Sequence, residues 1–189
     1  MSPLADRRYA PFVRDRPPRP FLCLGVRPAA PADVEVLAAI RQEREGGHLP
    51  ELARRFFRAL AEPAGGRVLL VGLIEGEVSG YGLAGHFDPP ADSPANHAPA
   101  GWYLQGLVVR VARRRLGLGA ELTRRRLEWL SGRAERAYYF ANSANQASIA
   151  LHAGLGFQEL SRDFWYPDVT FIGGEGVLFG IDLRDQGHL

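Results

Sequence analysis

Residues 103–119, YLQGLVVRVARRRLGLG, end an apolar β-like run in a turn rich in arginine and glycine and lead directly into a helical stretch, ELTRRRLEWL. The first turn of a helix leaves backbone N–H groups without intrahelical partners, and the aligned peptide dipoles place partial positive charge there. Glycines let a ligand come close to that backbone. The stretch therefore predicts a strand, an anion-binding bend and a helix, with room for a pyrophosphate. The spacing Arg114-x-x-Gly117-x-Gly119 is not the dinucleotide fingerprint G-x-G-x-x-G. Nor is it a phosphate loop of the G-K-[ST] type, because the chain contains no lysine.

Upstream, residues 21–26 form a β-like run leading into PAAPADVEVLAAIRQE. There Pro31 suits a first helical turn, Asp33 adds favourable charge, and Val34, Leu37 and Ile40 recur at helical spacing. A second helix over roughly 51–61 collects Leu52, Phe56, Phe57 and Leu60 on one face. RVLLVGLIEGEVSGYGLAGHF reads as two strands joined by a hairpin turn at Glu75-Gly76-Glu77. Glycines 80, 82 and 85 in its second arm mark either a bulge or the close approach of a backbone or ligand. Residues 88–100, DPPADSPANHAPA, read as a surface loop, either an insertion or a cover for a site.

The helix over 117–130 carries Leu118, Leu122 and Trp129 on one edge of its apolar arc and Ala120, Leu127 and Leu130 on the other. Arg126 interrupts the arc and is expected to snorkel. A strand at 137–141, a helical NQASIALHAGLGF closed by Gly156, and strand-like runs at 157–165 and 176–183 complete the chain. The order β-α-α-β-β-β-α-β-α-β-β predicts one α/β domain over 21–189, a mixed sheet with helices on its faces. The last run, GVLFGIDL, would offer a sheet edge for a homodimer. Residues 1–20, in which five arginines stand among five prolines, predict a flexible tail.

Composition narrows the partners. The formal net charge of +2 results from 23 cations interleaved with 21 carboxylates, which does not imply nucleic acid. Every cation is arginine, a usage that suits an anion binder and equally a GC-rich genome. Cys23 is the only cysteine, so an internal disulfide and a C-x-x-C metal site are excluded, and its place in FLCLGV predicts a buried strand residue. No apolar run reaches membrane-spanning length and no signal-peptide core is seen, so a soluble cytoplasmic protein is expected, without a metal.

About 26 residues beyond the bend comes Asn145-x-x-Ser148-Ile149-x-Leu151-His152-x-x-Leu155-Gly156-Phe157. With the order of elements, this pair of motifs resembles the GNAT superfamily of acetyl-CoA-dependent N-acetyltransferases. V-x-x-x-x-[RQ]-x-x-G-x-[GA] is met at Val109, Arg114, Gly117 and Gly119, and N-x-x-[AS]-I-x-L-[YH]-x-x-L-G-F at the later helix. The resemblance implies a mostly antiparallel sheet of about seven strands flanked by about four helices. It implies that backbone N–H groups of Arg115, Leu116, Gly117, Leu118, Gly119 and Ala120 cradle the pyrophosphate of acetyl-CoA, with Arg113, Arg114 and Arg115 adding charge. Leu107, Val108 and Val109 would pair with the pantetheine arm, and Asn145 and Ser148 would lie along it.

Direct acetyl transfer needs a neutral amine at the thioester carbon, donors for the oxyanion and a proton for the thiolate. A primary ammonium with a pKa of about 10.4 is neutral only about once in two thousand molecules at pH 7, so a deprotonation route is needed. The resemblance makes His152, which stands where relatives often carry Tyr, the proton donor, as in acetyltransferases of phosphinothricin-like amino acids. Relatives often carry a strand Glu as base; here the corresponding stretch reads Tyr103-Leu104-Gln105-Gly106. Tyr103 and Gln105, on one face with Leu107 and Val109 if pairing is regular, would hold a relaying water. Glu77, His86, Asp88 and His97 are outside candidates, and Trp102, Tyr103, Trp165 and Tyr166 would wall an acceptor pocket. The leading expectation is an N-acetyltransferase of a small primary amine, antibiotic-like or amino-acid-like. A protein or peptide acetyltransferase and a silent acyl-CoA-binding regulatory module are the competing readings.

Overall fold

The computed structural model describes residues 9, 10, 12, 22–61 and 66–184. Seven strands form one sheet: β1 (Leu24–Pro28), β2 (Arg67–Ile74), β3 (Glu77–Phe87), β4 (Gly101–Val109), β5 (Arg136–Asn142), β6 (Gln158–Ser161) and β7 (Gly176–Asp182). Four helices accompany them: α1 (Val34–Glu45), α2 (Leu49–Ala61), α3 (Leu118–Leu130) and α4 (Gln146–Ala153). The predicted order of elements and the mixed, mostly antiparallel sheet are those observed. The spatial order is β1-β2-β3-β4-β5-β7-β6, and only β4 and β5 run parallel.

Alternation along β2 shows how the two faces are dressed. Leu69 and Val71 join Val34, Leu37, Ile40 and Phe56 under α1 and α2, whereas Leu70 and Ile74 join Leu118 and Leu122 under α3. Burial of each such leucine contributes about 2 kcal/mol. Helix α3 lies so close to the sheet that a Cβ on Gly72 would stand 2.7 Å from Leu118 Cδ1. The β2–β3 hairpin turns at Glu75 (φ 50°) and Gly76 (φ 81°), the paired left-handed conformations of a type I′ turn. Ahead of α1, the Asp33 carboxylate takes two hydrogen bonds from Arg27 at 2.7 and 2.8 Å and one from the Ala30 N–H.

Several expectations are corrected. GVLFGIDL is no edge, since β7 lies between β5 and β6; among the described residues the edges are β1 and β6. Cys23 is exposed, because it precedes β1 beside the hairpin turn, where its N–H donates to Glu75 Oε1. The run at 157–165 forms a strand only over Gln158–Ser161, and Trp165 instead bridges to His97, pinning the 88–100 loop. The tail expected over 1–20 falls outside the described residues except at Tyr9, Ala10 and Phe12. Among the described residues, no helix is long and apolar enough to cross a membrane.

Candidate active site

The site begins with a fault in β4. Leu83 pairs with Gln105, but the next pair is Tyr81 with Val108, so β4 carries one more residue than β3 at this point. Gly106 takes the left-handed backbone conformation (φ 54°) that such a bulge requires. Beyond it the side chains change faces. Tyr103 packs with Phe87 and Tyr166, and Gln105 bonds Tyr166, on one face; Leu107 and Val109 pack with Leu118 on the other. The regular pairing that would have put Tyr103, Gln105, Leu107 and Val109 together is therefore broken. The bulge also ends the alliance with β5, which is limited to Trp102–Ala137 and Tyr103–Tyr138. The outer half of β4 diverges and leaves a cleft.

The bend closes one end of that cleft. A 3₁₀ turn over Val111–Arg113 is followed by left-handed residues Arg115 (φ 69°) and Gly117 (φ 96°), the latter capping α3. Among the described residues the N–H groups of Leu116, Gly117, Leu118 and Gly119 meet no backbone acceptor. Ala120 departs from expectation, because its N–H turns back to Gly117 O at 3.0 Å. The cleft here measures about 370 Å³ and is bordered by every predicted cofactor residue except Leu116. Burial, with Arg44 as a neighbouring cation, holds the Arg114 guanidinium below its ordinary pKa.

An inner chamber of about 460 Å³ continues from it, with Tyr9, Arg44, Leu107, Asn145 and Ser148 bordering both. Asn145 caps α4 by accepting the Ser148 N–H. His152 borders the chamber but is only 2% exposed and stacks on Tyr139 at 3.8 Å. Its Nδ1 lies 2.9 Å from Ser148 O. A carbonyl only accepts, so Nδ1 carries the proton and Nε2 is the lone pair left. Burial lowers the His152 pKa to about 3, with Arg126 adding to the effect, so the ring is neutral near neutral pH.

The other expected groups are placed elsewhere. Tyr103 is fully buried and its hydroxyl donates to Pro99 O at 2.8 Å, while Gln105 Nε2 donates to the Tyr166 hydroxyl at 3.1 Å. Neither borders the cleft or the chamber. Trp102 lies on the α3 side against Trp129, and Trp165 and Tyr166 also stand outside; Phe140 and Phe171 supply the aromatic wall. Glu77 pairs with Arg113, His86 with Asp88, and His97 Nδ1 bonds Ala98 O.

Three polar groups at the site escaped the sequence reading. Arg44, at the end of α1, donates to Leu107 O at 3.2 Å across the boundary of the two spaces; nothing in its pattern marks it. Arg126 does not snorkel: it is 1% exposed and lines the chamber, and its break in the α3 apolar arc was the available signal. Tyr139 is 3% exposed and its hydroxyl has no hydrogen-bond partner among the described residues. No group of three or more His, Cys, Asp or Glu is placed to hold a metal ion among the described residues.

Comparisons with known proteins bear on the family and the fold. A family model described as the acetyltransferase (GNAT) family matches residues 34–157. No curated protein matches the chain at a significant level. Among solved structures, a ribosomal-protein-alanine N-acetyltransferase from Brucella melitensis is 22% identical, with a TM-score of 0.62 over 83% of this chain and 98% of that one. A GNAT-superfamily phosphinothricin acetyltransferase from Sinorhizobium meliloti, in complex with acetyl-CoA, is 19% identical, with a TM-score of 0.62 over 84% and 88%. The yncA structure from Salmonella typhimurium, with its cofactor acetyl-CoA, is 21% identical, with a TM-score of 0.61 over 87% and 96%. The bend, the splayed strand and the matched family model lead to one assignment: the chain belongs to the GNAT family and is an acyltransferase.

Proposed function

We propose that the chain is an N-acetyltransferase that moves the acetyl group of acetyl-CoA to the primary amine of a small, amino-acid-like molecule. The observation that supports this reading is the continuity of a cleft suited to a diphosphate with an adjoining space of about 460 Å³ that shares Arg44, Leu107, Asn145 and Ser148 with it. The free N–H groups of residues 116–119, backed by Arg114 and Arg115, would hold the pyrophosphate. Leu107–Val109, Asn145 and Ser148 would flank the pantetheine arm, which can use the strand edge left open by the bulge. Bound acetyl-CoA would supply an activated thioester; a neutral amine would form the C–N bond as the C–S bond breaks, and the proton that the nitrogen loses would balance the one taken up by the departing CoA thiolate.

Charge in the chamber favours the amino-acid-like class over a polycationic antibiotic. Its described lining holds two cations, Arg44 and Arg126, against one carboxylate, Glu45. Arg44 Nε lies 3.8 Å from Glu45, and Arg126 is buried with its N–H groups on carbonyls and Thr123, so the excess is one buried positive charge that disfavours a polycation. His152 acts in this reading as a neutral acceptor through Nε2, and Tyr103 and Gln105 as supports of the inner half of β4. The test is release of free thiol from acetyl-CoA across a panel of amines. Amino acids and their close analogues should give turnover; turnover confined to polyamines or peptides would refute the acceptor class, and binding without turnover on any amine would favour a silent module.

A further inference from the structure

Arg126 is the largest side chain with less than 2% exposure, and no carboxylate among the described residues pairs with it. Burying a guanidinium without a counter-ion is costly, and a leucine would continue the apolar arc of α3 at this point. The reason for a cation is found in where its N–H groups go. Two bonds stay on its own helix, to Leu122 O at 3.1 Å and to Thr123 Oγ1 at 3.0 Å. Nη1 crosses to the sheet and donates to Leu83 O at 3.0 Å and Gln105 O at 3.3 Å. Leu83 and Gln105 are the last matched pair before the register of β3 and β4 breaks.

A buried carbonyl beside a bulge needs a donor that the regular ladder no longer supplies. The guanidinium serves two of them at once. It reaches them because residue 82 is glycine: a Cβ there would lie 3.0 Å from Arg126 Nε and 3.1 Å from Cζ. We propose that Arg126 is a positioning residue whose guanidinium ties the Leu83 and Gln105 carbonyls together beneath the Gly106 bulge, holding the outer half of β4 splayed from β5 so that the acetyl-CoA cleft is open. The inference rests on the assignment of that cleft to acetyl-CoA.

The test compares Arg126→Met with Leu130→Ala, a cavity variant in the core of the same helix that touches neither bulge nor cleft. Calorimetric titration with acetyl-CoA is read beside thermal unfolding of each variant. Arg126→Met should bind at least fivefold more weakly than the parent, while Leu130→Ala, destabilised but folded, binds within twofold. A folded Arg126→Met that loses less than fivefold, or an equal loss in Leu130→Ala, overturns the inference. If Arg126→Met does not fold, Gly82→Ala decides. Its methyl group displaces the guanidinium by a few tenths of an ångström, and a loss of twofold or more in affinity supports the inference while a smaller loss overturns it. A parent chain that does not bind acetyl-CoA instead brings down the cofactor assignment, and this inference with it.

Discussion

The two halves of β4 differ more than their compositions suggest. Residues 102–105 pair with β3, are joined to β5 at Trp102 and Tyr103, and are sealed by aromatic rings, so their polar atoms are spent inside the fold. Residues 107–109 keep β3 on one side only and border the cleft on the other. One inserted glycine at φ 54° separates the two conditions. A sheet becomes a binding surface where its ladder stops, and the residues before the stop serve as its foundation.

The largest effect should come from the end of the outer half. Gly117→Val forces a β-branched residue into φ 96° at the cap of α3 and displaces the free N–H groups; affinity for acetyl-CoA should fall about a hundredfold by calorimetry. His152 tests the chamber wall through pH. Its folded pKa of about 3 lies below its ordinary 6.5, so the unfolded chain takes up the proton first. Stability should be full above pH 6.5 and decline as pH falls towards 3, by about 1.4 kcal/mol per pH unit, or about 2 kcal/mol at pH 5. Urea unfolding of the parent and of His152→Gln at pH 7 and 5 should show this part of the loss only in the parent.

Gly106→Val strains the bulge itself and should weaken acetyl-CoA binding about tenfold, with a stability loss of about 1–2 kcal/mol. Arg44→Met removes the cation between the two spaces and should raise KM for a carboxylate-bearing amine about fivefold. The smallest effect belongs to the inner half. Trp102→Leu loses its ring contact with Trp129, at a stability cost of about 1–2 kcal/mol, and should leave acetyl-CoA affinity within twofold.

The same contrast explains what could be read from the chain. The bend was legible because its requirements are local: arginines, a left-handed glycine and the start of a helix lie within a few residues. The order of elements was legible from periodicity. The faces of Tyr103 and Gln105 were not, since Gly106 looks like any strand glycine until the pairing partner is known. Arg44 meets Leu107 across 63 positions of sequence and Arg126 meets Leu83 across 43; the break in the α3 apolar arc marks Arg126 itself, but no local pattern names either partner. His152 stands out in the sequence by its motif and borders the chamber, but its protonation state depends on burial and on the Ser148 carbonyl one turn away.

The most direct test is a pair of calorimetric titrations of the intact chain, one with acetyl-CoA and one with an acetyl-pantetheine thioester that lacks the diphosphate. A diphosphate held by the N–H groups at the start of α3 predicts one acetyl-CoA site per chain and affinity at least a hundredfold lower for the shorter thioester. No heat with acetyl-CoA, or equal affinity for the two compounds, would contradict it.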